Sequence, residues 1–293
     1  MRALRVAVLA SPSFRAMHRL DEAHGIERVE KIADAGVLLV TPRFGSVIRD
    51  QWPDVKRVRW IHALGAGVET FPFDLLRGSG IVLTNSRGVY AGALAEFVVG
   101  AMLWFAKDFR RLVTNQAAHR WEPFAVERIE GATAGIIGYG GIGRAVAKRA
   151  EALGMRVIAT RATSIDDIVA NADYVVLAVP LTHETRGLMN AERIARLKGV
   201  LINVSRGAVV DEEALVDALR THRIRGAALD VFAVEPLPPD HPLWSLDNAL
   251  ISPHTADHTS DSHDRAMDLF LRNVERFRRG EALENVVDLE REY

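Results

Sequence analysis

The stretch Gly135-Ile136-Ile137-Gly138-Tyr139-Gly140-Gly141-Ile142-Gly143 constrains the fold more than any other part of the chain, because three glycines stand at G-x-G-x-x-G spacing directly after an apolar run. In that geometry the first glycine makes a tight turn off a strand, the second lets backbone approach a pyrophosphate, and the third lets a helix pack closely on the strand. Free N–H groups and the macrodipole at the helix start then favour the phosphate charge. Glycines at this spacing also occur in loops that bind nothing, so the flanks matter. Ala132 to Ile137 reads as a buried strand, and Ile142 to Leu153 carries Ile142, Val146, Ala150 and Leu153 as a helical stripe. Gly154 stops that helix, and Met155 to Thr160 reads as a second strand. The order strand, glycine loop, helix, strand predicts a dinucleotide-binding unit, with a plain strand-turn-helix junction as the alternative.

At 293 residues and 48% hydrophobic composition, the chain has enough apolar material for one large or two ordinary domains. Its 37 basic and 38 acidic residues leave a net charge of −1, which gives no overall field for nucleic acid or an anionic membrane. There are no cysteines, which excludes disulfides, zinc-thiolate sites and thiol nucleophiles and fits a cytoplasmic protein. Met1-Arg2-Ala3-Leu4-Arg5 followed by Val6 to Ala10 faintly resembles a signal peptide, but the apolar run is too short and reads as a first buried strand. No segment approaches the roughly 20 apolar residues of a membrane-spanning helix.

Before the glycine loop, strand-like runs at Leu4 to Ala10, Val37 to Thr41, Val58 to His62 and Ile81 to Asn85 alternate with helical or turn-rich segments, predicting one parallel sheet. After it, Tyr174 to Val179, Val200 to Val204, Ala227 to Val231 and Ala249 to Ser252 predict a second, doubly wound sheet, with helices such as Glu212 to Thr221 between them. Ala91 to Arg111 is a long helical candidate joining the halves, and a final helix over about Ser260 to Arg279 is expected to return to the first half. The expected fold is therefore α/β, with two Rossmann-like or flavodoxin-like domains: residues 1–91 with 260–293 for substrate, and 92–259 for the dinucleotide. The active site is expected in the cleft between them.

Three segments fall at the ends of predicted strands of the second half, where open α/β sheets place ligands. They are Asn203-Val204-Ser205-Arg206-Gly207, Asp230-Val231-Phe232-Ala233-Val234-Glu235-Pro236 and Ser252-Pro253-His254-Thr255-Ala256. With the glycine loop, Val179-Pro180-Leu181-Thr182-His183-Glu184-Thr185, and the first-half segments Trp60 to Val68 and Thr84 to Gly88, they occur in an order and spacing that resembles the D-isomer-specific 2-hydroxyacid dehydrogenases over almost the whole chain. The loop Ala63-Leu64-Gly65-Ala66-Gly67-Val68 looks like that of the glyoxylate/hydroxypyruvate reductase branch.

The resemblance implies reduction of a small 2-keto acid, or oxidation of the matching 2-hydroxy acid, with a nicotinamide cofactor. Arg206 would meet the substrate carboxylate and carbonyl through its planar donor fork. His254 would exchange the proton on the carbonyl oxygen, with Glu235 orienting the ring and favouring the imidazolium. Backbone N–H groups of Leu64, Gly65 and Ala66 would take the substrate carboxylate. Cofactor contacts would come from Gly138, Tyr139, Gly140, Gly141, Ile142, Gly143, Val179, Pro180, Thr185, Val204, Ser205, Arg206 and His254. Asp230 reads equally as a nicotinamide ligand or a structural aspartate. No metal is implied, and the family suggests a homodimer, with Ala91 to Arg111 and Trp121-Glu122-Pro123-Phe124 as interface candidates. Phe97, Val98, Met102, Trp104 and Phe105 in the first of these read equally as core.

An NAD-preferring unit carries Asp or Glu at the end of its second strand, about 20 residues beyond the glycines. Here that position reads Thr160-Arg161-Ala162-Thr163-Ser164. Arg161 suits a 2′-phosphate, with Thr163 and Ser164 hydroxyls as added donors, so NADP(H) is expected ahead of NAD(H). The competing reading makes Arg161 an ordinary exposed arginine on a shortened loop, with Asp166 and Asp167 close enough to blur the register. Two departures from the family stand out: few residues separate the second strand from the next, and Asp257 stands where many relatives have glycine. The rival from another class is a nucleotide-sensing, co-repressor-like binding protein on the same fold. Formate dehydrogenase is a second enzymatic rival, but its hydride step needs no acid-base histidine.

Overall fold

The apolar runs become strands because both faces of each sheet are covered. In the computed structural model, which describes residues 3–11 and 14–293, eleven strands form two wholly parallel sheets. Met1 and Arg2, the charged start of the signal-like stretch, lie outside the described residues. The strands are β1 (Leu4–Leu9), β2 (Ile26–Val29), β3 (Val37–Val40), β4 (Trp60–Ala63), β5 (Val82–Asn85), β6 (Thr133–Ile137), β7 (Arg156–Ala159), β8 (Tyr174–Leu177), β9 (Val200–Asn203), β10 (Gly226–Leu229) and β11 (Ala249–Ile251). Every residue of β3, β4, β8, β9 and β10 is buried, the near-continuous apolar pattern of a parallel sheet packed on two sides.

The first sheet runs β2-β1-β3-β4-β5, the flavodoxin-like order. Alternate residues feed opposite cores. Leu38, Val40, Ile61 and Leu83 join Val55, Phe71 and Leu76, whereas Val37, Leu39 and Trp60 join Met267, Phe270 and Val274 of the last helix, Ser262–Arg279. Trp60 and Phe270 stack with centroids 5.2 Å apart. That helix therefore packs on the first sheet although 168 residues of the second compact unit, Ala91–His258, intervene; the first unit comprises Met1–Tyr90 and Thr259–Tyr293.

The second sheet runs β11-β10-β9-β8-β6-β7. The order reverses between β6 and β8, which is where a doubly wound sheet opens its crevice. The Rossmann order would put one more strand outside β7. Here the short helix Ile165–Asn171 leads directly to β8, so β7 is the edge, the structural counterpart of the brief stretch seen in the sequence.

Two expectations need correcting. The helix expected over Ala91 to Arg111 is two helices, Ala91–Ala106 and Phe109–Ala117, because Asp108 takes a left-handed conformation (φ 48°) and its carboxylate caps the second by accepting from Arg111 N–H at 3.2 Å. β2 was not foreseen; its central Glu27 and Arg28 are exposed on the sheet edge and break the apolar pattern.

Candidate active site

The three glycines of the loop occupy three different environments. Gly138 leaves β6 at φ 101°, and a Cβ there would lie 2.4 Å from the Ala178 carbonyl oxygen. A Cβ on Gly143 would lie 2.0 Å from the Gly138 carbonyl oxygen. Around Gly140, at the start of the helix Gly141–Ala152, a Cβ would meet nothing within 4 Å. The first and third glycines thus serve close packing, and the second leaves an open approach to the helix N-terminus, which is the shape a pyrophosphate requires. Gly138 N–H is held by Thr160 Oγ1 at 3.1 Å, a tie between the loop and the end of β7. Tyr139 and Ile142 are half-buried beside it, and the Tyr139 carbonyl accepts from Arg144 at 3.1 Å.

Beyond β7, Arg161 is exposed and makes no hydrogen bond or ion pair with any described residue. Its acidic neighbours are committed elsewhere. Asp166 accepts from Arg193 at 3.1 Å and Arg196 at 3.3 Å, and the Arg193 hydrogen bond holds its carboxyl below the usual range. Asp167 forms a capping pair with Ser164: the Ser164 hydroxyl donates to the carboxylate at 2.6 Å and accepts from Asp167 N–H at 3.1 Å. Ser164 is therefore a helix cap, which corrects its expected role as a phosphate donor. Thr163 is half-buried next to Arg161.

Past β8, Val179 is half-buried and Pro180 exposed, while the Thr185 hydroxyl donates back to the Pro180 carbonyl at 2.6 Å and so shapes this turn from within. Past β9, Val204 and Ser205 are buried. Ser205 N–H and Oγ both donate to Asn203 Oδ1, at 3.0 and 2.6 Å, which leaves the hydroxyl only as an acceptor for a ligand. Arg206 follows in extended conformation with Nη1 donating to the Ser205 carbonyl at 2.7 Å.

Gly207 then crosses the next loop at backbone contact. A Cβ there would lie 1.9 Å from the Phe232 carbonyl carbon, so only glycine lets the Arg206 and Glu235 loops meet. Glu235 closes that second loop: Oε1 accepts from Phe232 N–H at 3.0 Å, and Oε2 faces His254 Nδ1 at 2.7 Å. Both side chains are partly exposed. With Nδ1 committed to the carboxylate, Nε2 is the ring atom left for chemistry.

His254 stands at φ 54°, a conformation that costs a β-substituted residue free energy and must be held by its surroundings. Asp230, almost wholly buried, holds it. One carboxylate oxygen accepts from Ser252 Oγ at 2.6 Å, Thr255 N–H at 2.9 Å and Ala256 N–H at 3.0 Å, a cradle on both sides of the histidine. Burial pushes this carboxyl up, while the Ser252, Ala256 and Thr255 hydrogen bonds oppose the rise. Asp257 has no positive φ, so the loop carries an aspartate there without strain. Sequence reading missed Ser252, Asn203, Thr160 and also Glu212, whose carboxylate accepts from Ala233 N–H at 3.1 Å and pairs with His241 at 3.4 Å.

In the first unit, the loop after β4 begins with Leu64, whose N–H already donates to the Val40 carbonyl at 2.8 Å. That corrects its expected role as a carboxylate donor. The N–H groups of Gly65 and Ala66 meet no acceptor among the described residues. Gly65 is required by Pro42, whose Cγ would lie 2.3 Å from an added Cβ.

Residues 99–256 match the family described as D-isomer specific 2-hydroxyacid dehydrogenase, NAD binding domain. A D-3-phosphoglycerate dehydrogenase of Methanocaldococcus jannaschii is 34% identical over 283 residues, covering 90% of this chain but 53% of its own length, so the chain spans about half of that relative. A glyoxylate reductase of Thermofilum pendens is 35% identical over 274 residues, 85% of this chain and 79% of its own. Among solved structures, a D-isomer specific 2-hydroxyacid dehydrogenase from Xanthobacter autotrophicus in complex with NADPH and MES superposes with a TM-score of 0.83 at 29% identity, covering 98% of this chain and 100% of that one.

Proposed function

The chain belongs to the D-isomer specific 2-hydroxyacid dehydrogenase family, oxidoreductases acting on the CH–OH group of 2-hydroxy acids, and from that premise we propose that it reduces a small 2-keto acid of the glyoxylate or hydroxypyruvate kind, with NADPH preferred to NADH. The observation that carries this reading is the 2.7 Å contact of His254 Nδ1 with Glu235, whose loop is packed against the one that bears Arg206. Gly138 to Gly143, with Val179 and Pro180, would hold the dinucleotide, and Arg161 its 2′-phosphate. When bound, that cofactor supplies the hydride to the substrate carbonyl carbon, or accepts it in the reverse direction. Arg206 anchors the substrate carboxylate and polarises the keto oxygen, and the N–H groups of Gly65 and Ala66 take up carboxylate charge. His254 delivers a proton from Nε2 to the carbonyl oxygen, while Glu235 stabilises the ring as an imidazolium beforehand and fixes its orientation afterwards.

The cofactor preference rests on Arg161 having no partner among the described residues while Asp166 and Asp167 have theirs. A cytoplasmic homodimer belongs to the same reading. Among the described residues no helix is long and apolar enough to cross a membrane.

One set of steady-state measurements tests the assignment: glyoxylate and hydroxypyruvate reduction by the wild type, His254→Ala and Arg161→Asp, with NADPH and NADH. His254→Ala is expected to lower kcat by about 10²–10⁴-fold with NADPH binding retained. Arg161→Asp is expected to cost kcat/KM with NADPH selectively. Equal efficiency of the wild type with NADH would sink the cofactor assignment. No turnover of either keto acid, with binding retained, would favour the nucleotide-sensing alternative.

A further inference from the structure

Four consecutive carbonyls after the middle of β4 are captured by the segment 85–90. Ala63 accepts from Ser86 Oγ at 3.2 Å, Leu64 from the Tyr90 hydroxyl, Gly65 from Ser86 N–H at 2.9 Å and Ala66 from Asn85 Nδ2 at 2.8 Å. These peptides are trans, so the N–H of each following residue points opposite to the captured carbonyl. Capture therefore aims the N–H groups of Leu64, Gly65, Ala66 and Gly67 away from their captors. The first of them reaches the Val40 carbonyl, the last residue of β3. Because β3 ends there, the other three find no acceptor among the described residues. Successive N–H groups without partners form a concavity that favours an anion.

We propose that Asn85 and Tyr90 are positioning residues for the substrate carboxylate, acting through the peptide planes of the 64–67 loop; this rests on the reading of that loop given above. Glycines at 65 and 67 make those peptides easy to turn, and a turned peptide would present a carbonyl oxygen where an anion needs an N–H. The Asn85 side chain is set for its task, since its Oδ1 accepts from Arg87 N–H at 3.2 Å, leaving Nδ2 directed at Ala66. A purely structural role would lower stability without singling out the carboxylate.

The test uses the wild type, Asn85→Asp and Tyr90→Phe, saturated with NADPH for glyoxylate kinetics and with NADP⁺ for calorimetric binding of oxamate, a carboxylate that is not reduced. Each substitution is expected to raise KM for glyoxylate and Kd for oxamate together by about 5–20-fold, the range for one lost orienting hydrogen bond. kcat should change less than about two-fold, and the Kd for NADPH should stay constant. Unchanged KM and oxamate affinity in Tyr90→Phe, or a loss confined to kcat or to melting temperature, would overturn the proposal. Should Asn85→Asp fail to fold, Tyr90→Phe alone decides. A wild type that binds oxamate without reducing any keto acid would reject the enzymatic reading and leave the positioning comparison intact; one that does neither would reject both.

Discussion

His62 shows how much one buried side chain can do for acid sensitivity. Its ring lies between Thr84 Oγ1, 2.7 Å from Nδ1, and Ser86 Oγ, 3.4 Å from Nε2, wholly out of solvent. Thr84 Oγ1 also accepts from Trp60 Nε1 at 2.8 Å, which ties the ring's hydroxyl neighbour to the core. Burial lowers the His62 pKa to about 3. The folded value lies below the unfolded one of about 6.5, so the unfolded chain takes the proton first. The stabilising contribution is complete above about pH 6.5 and is lost as pH falls toward 3, by up to about 1.4 kcal/mol per pH unit. Urea unfolding of the wild type and His62→Gln between pH 7 and 4 should therefore give stability curves that converge on acidification, and parallel curves would refute the account. At this scale the pairing of Glu235 with His254 was legible through the family resemblance of the motifs that carry them. The capture of Leu64 and Ala66 by Tyr90 and Asn85 was not, since it depends on β4 and β5 lying side by side in register.

Elements explain why the glycine loop could be read so directly. Gly138 and Gly143 answer to protein atoms, and Gly140 to open space, so the pattern reports two separate requirements. Gly140→Ala should leave the melting temperature nearly unchanged yet weaken NADPH binding by an order of magnitude or more. Gly143→Ala should cost about 1–3 kcal/mol of stability as well, because the helix must shift from the Gly138 carbonyl. Thermal melts and fluorescence titrations would check both, and a Gly143→Ala protein as stable as the wild type would contradict the packing argument. Where element reading failed, the cause was local chemistry weaker than the apolar pattern: an aspartate cap at Asp108, and a strand whose two central residues are charged. The pair Ser164 and Asp167 carries a recognisable capping signature that competes with the phosphate reading of the same hydroxyl beside Arg161.

For the molecule as a whole, five of the eight exposed large apolar side chains of the second unit fall between residues 109 and 126, the others being Leu153, Val234 and Trp244. Phe109, Leu112 and Val113 lie on one short helix, and Val126 and Trp121, the latter 96% exposed, lie in the extended segment after it. The interface proposal therefore shifts downstream of Ala91–Ala106, where Val98 and Met102 are fully buried core. Light scattering should give twice the monomer mass for the wild type and the monomer mass for Val113→Glu/Trp121→Glu; a wild type that is monomeric at micromolar concentration would reject the homodimer.

The stacking of Phe270 on Trp60 sets an order of events during synthesis. The residues that complete one face of the first sheet leave the ribosome only after the whole of Ala91–His258 has emerged. The contiguous second unit can finish folding while the earlier ninety residues still await their last helix, a reversal of the usual N-terminal-first sequence.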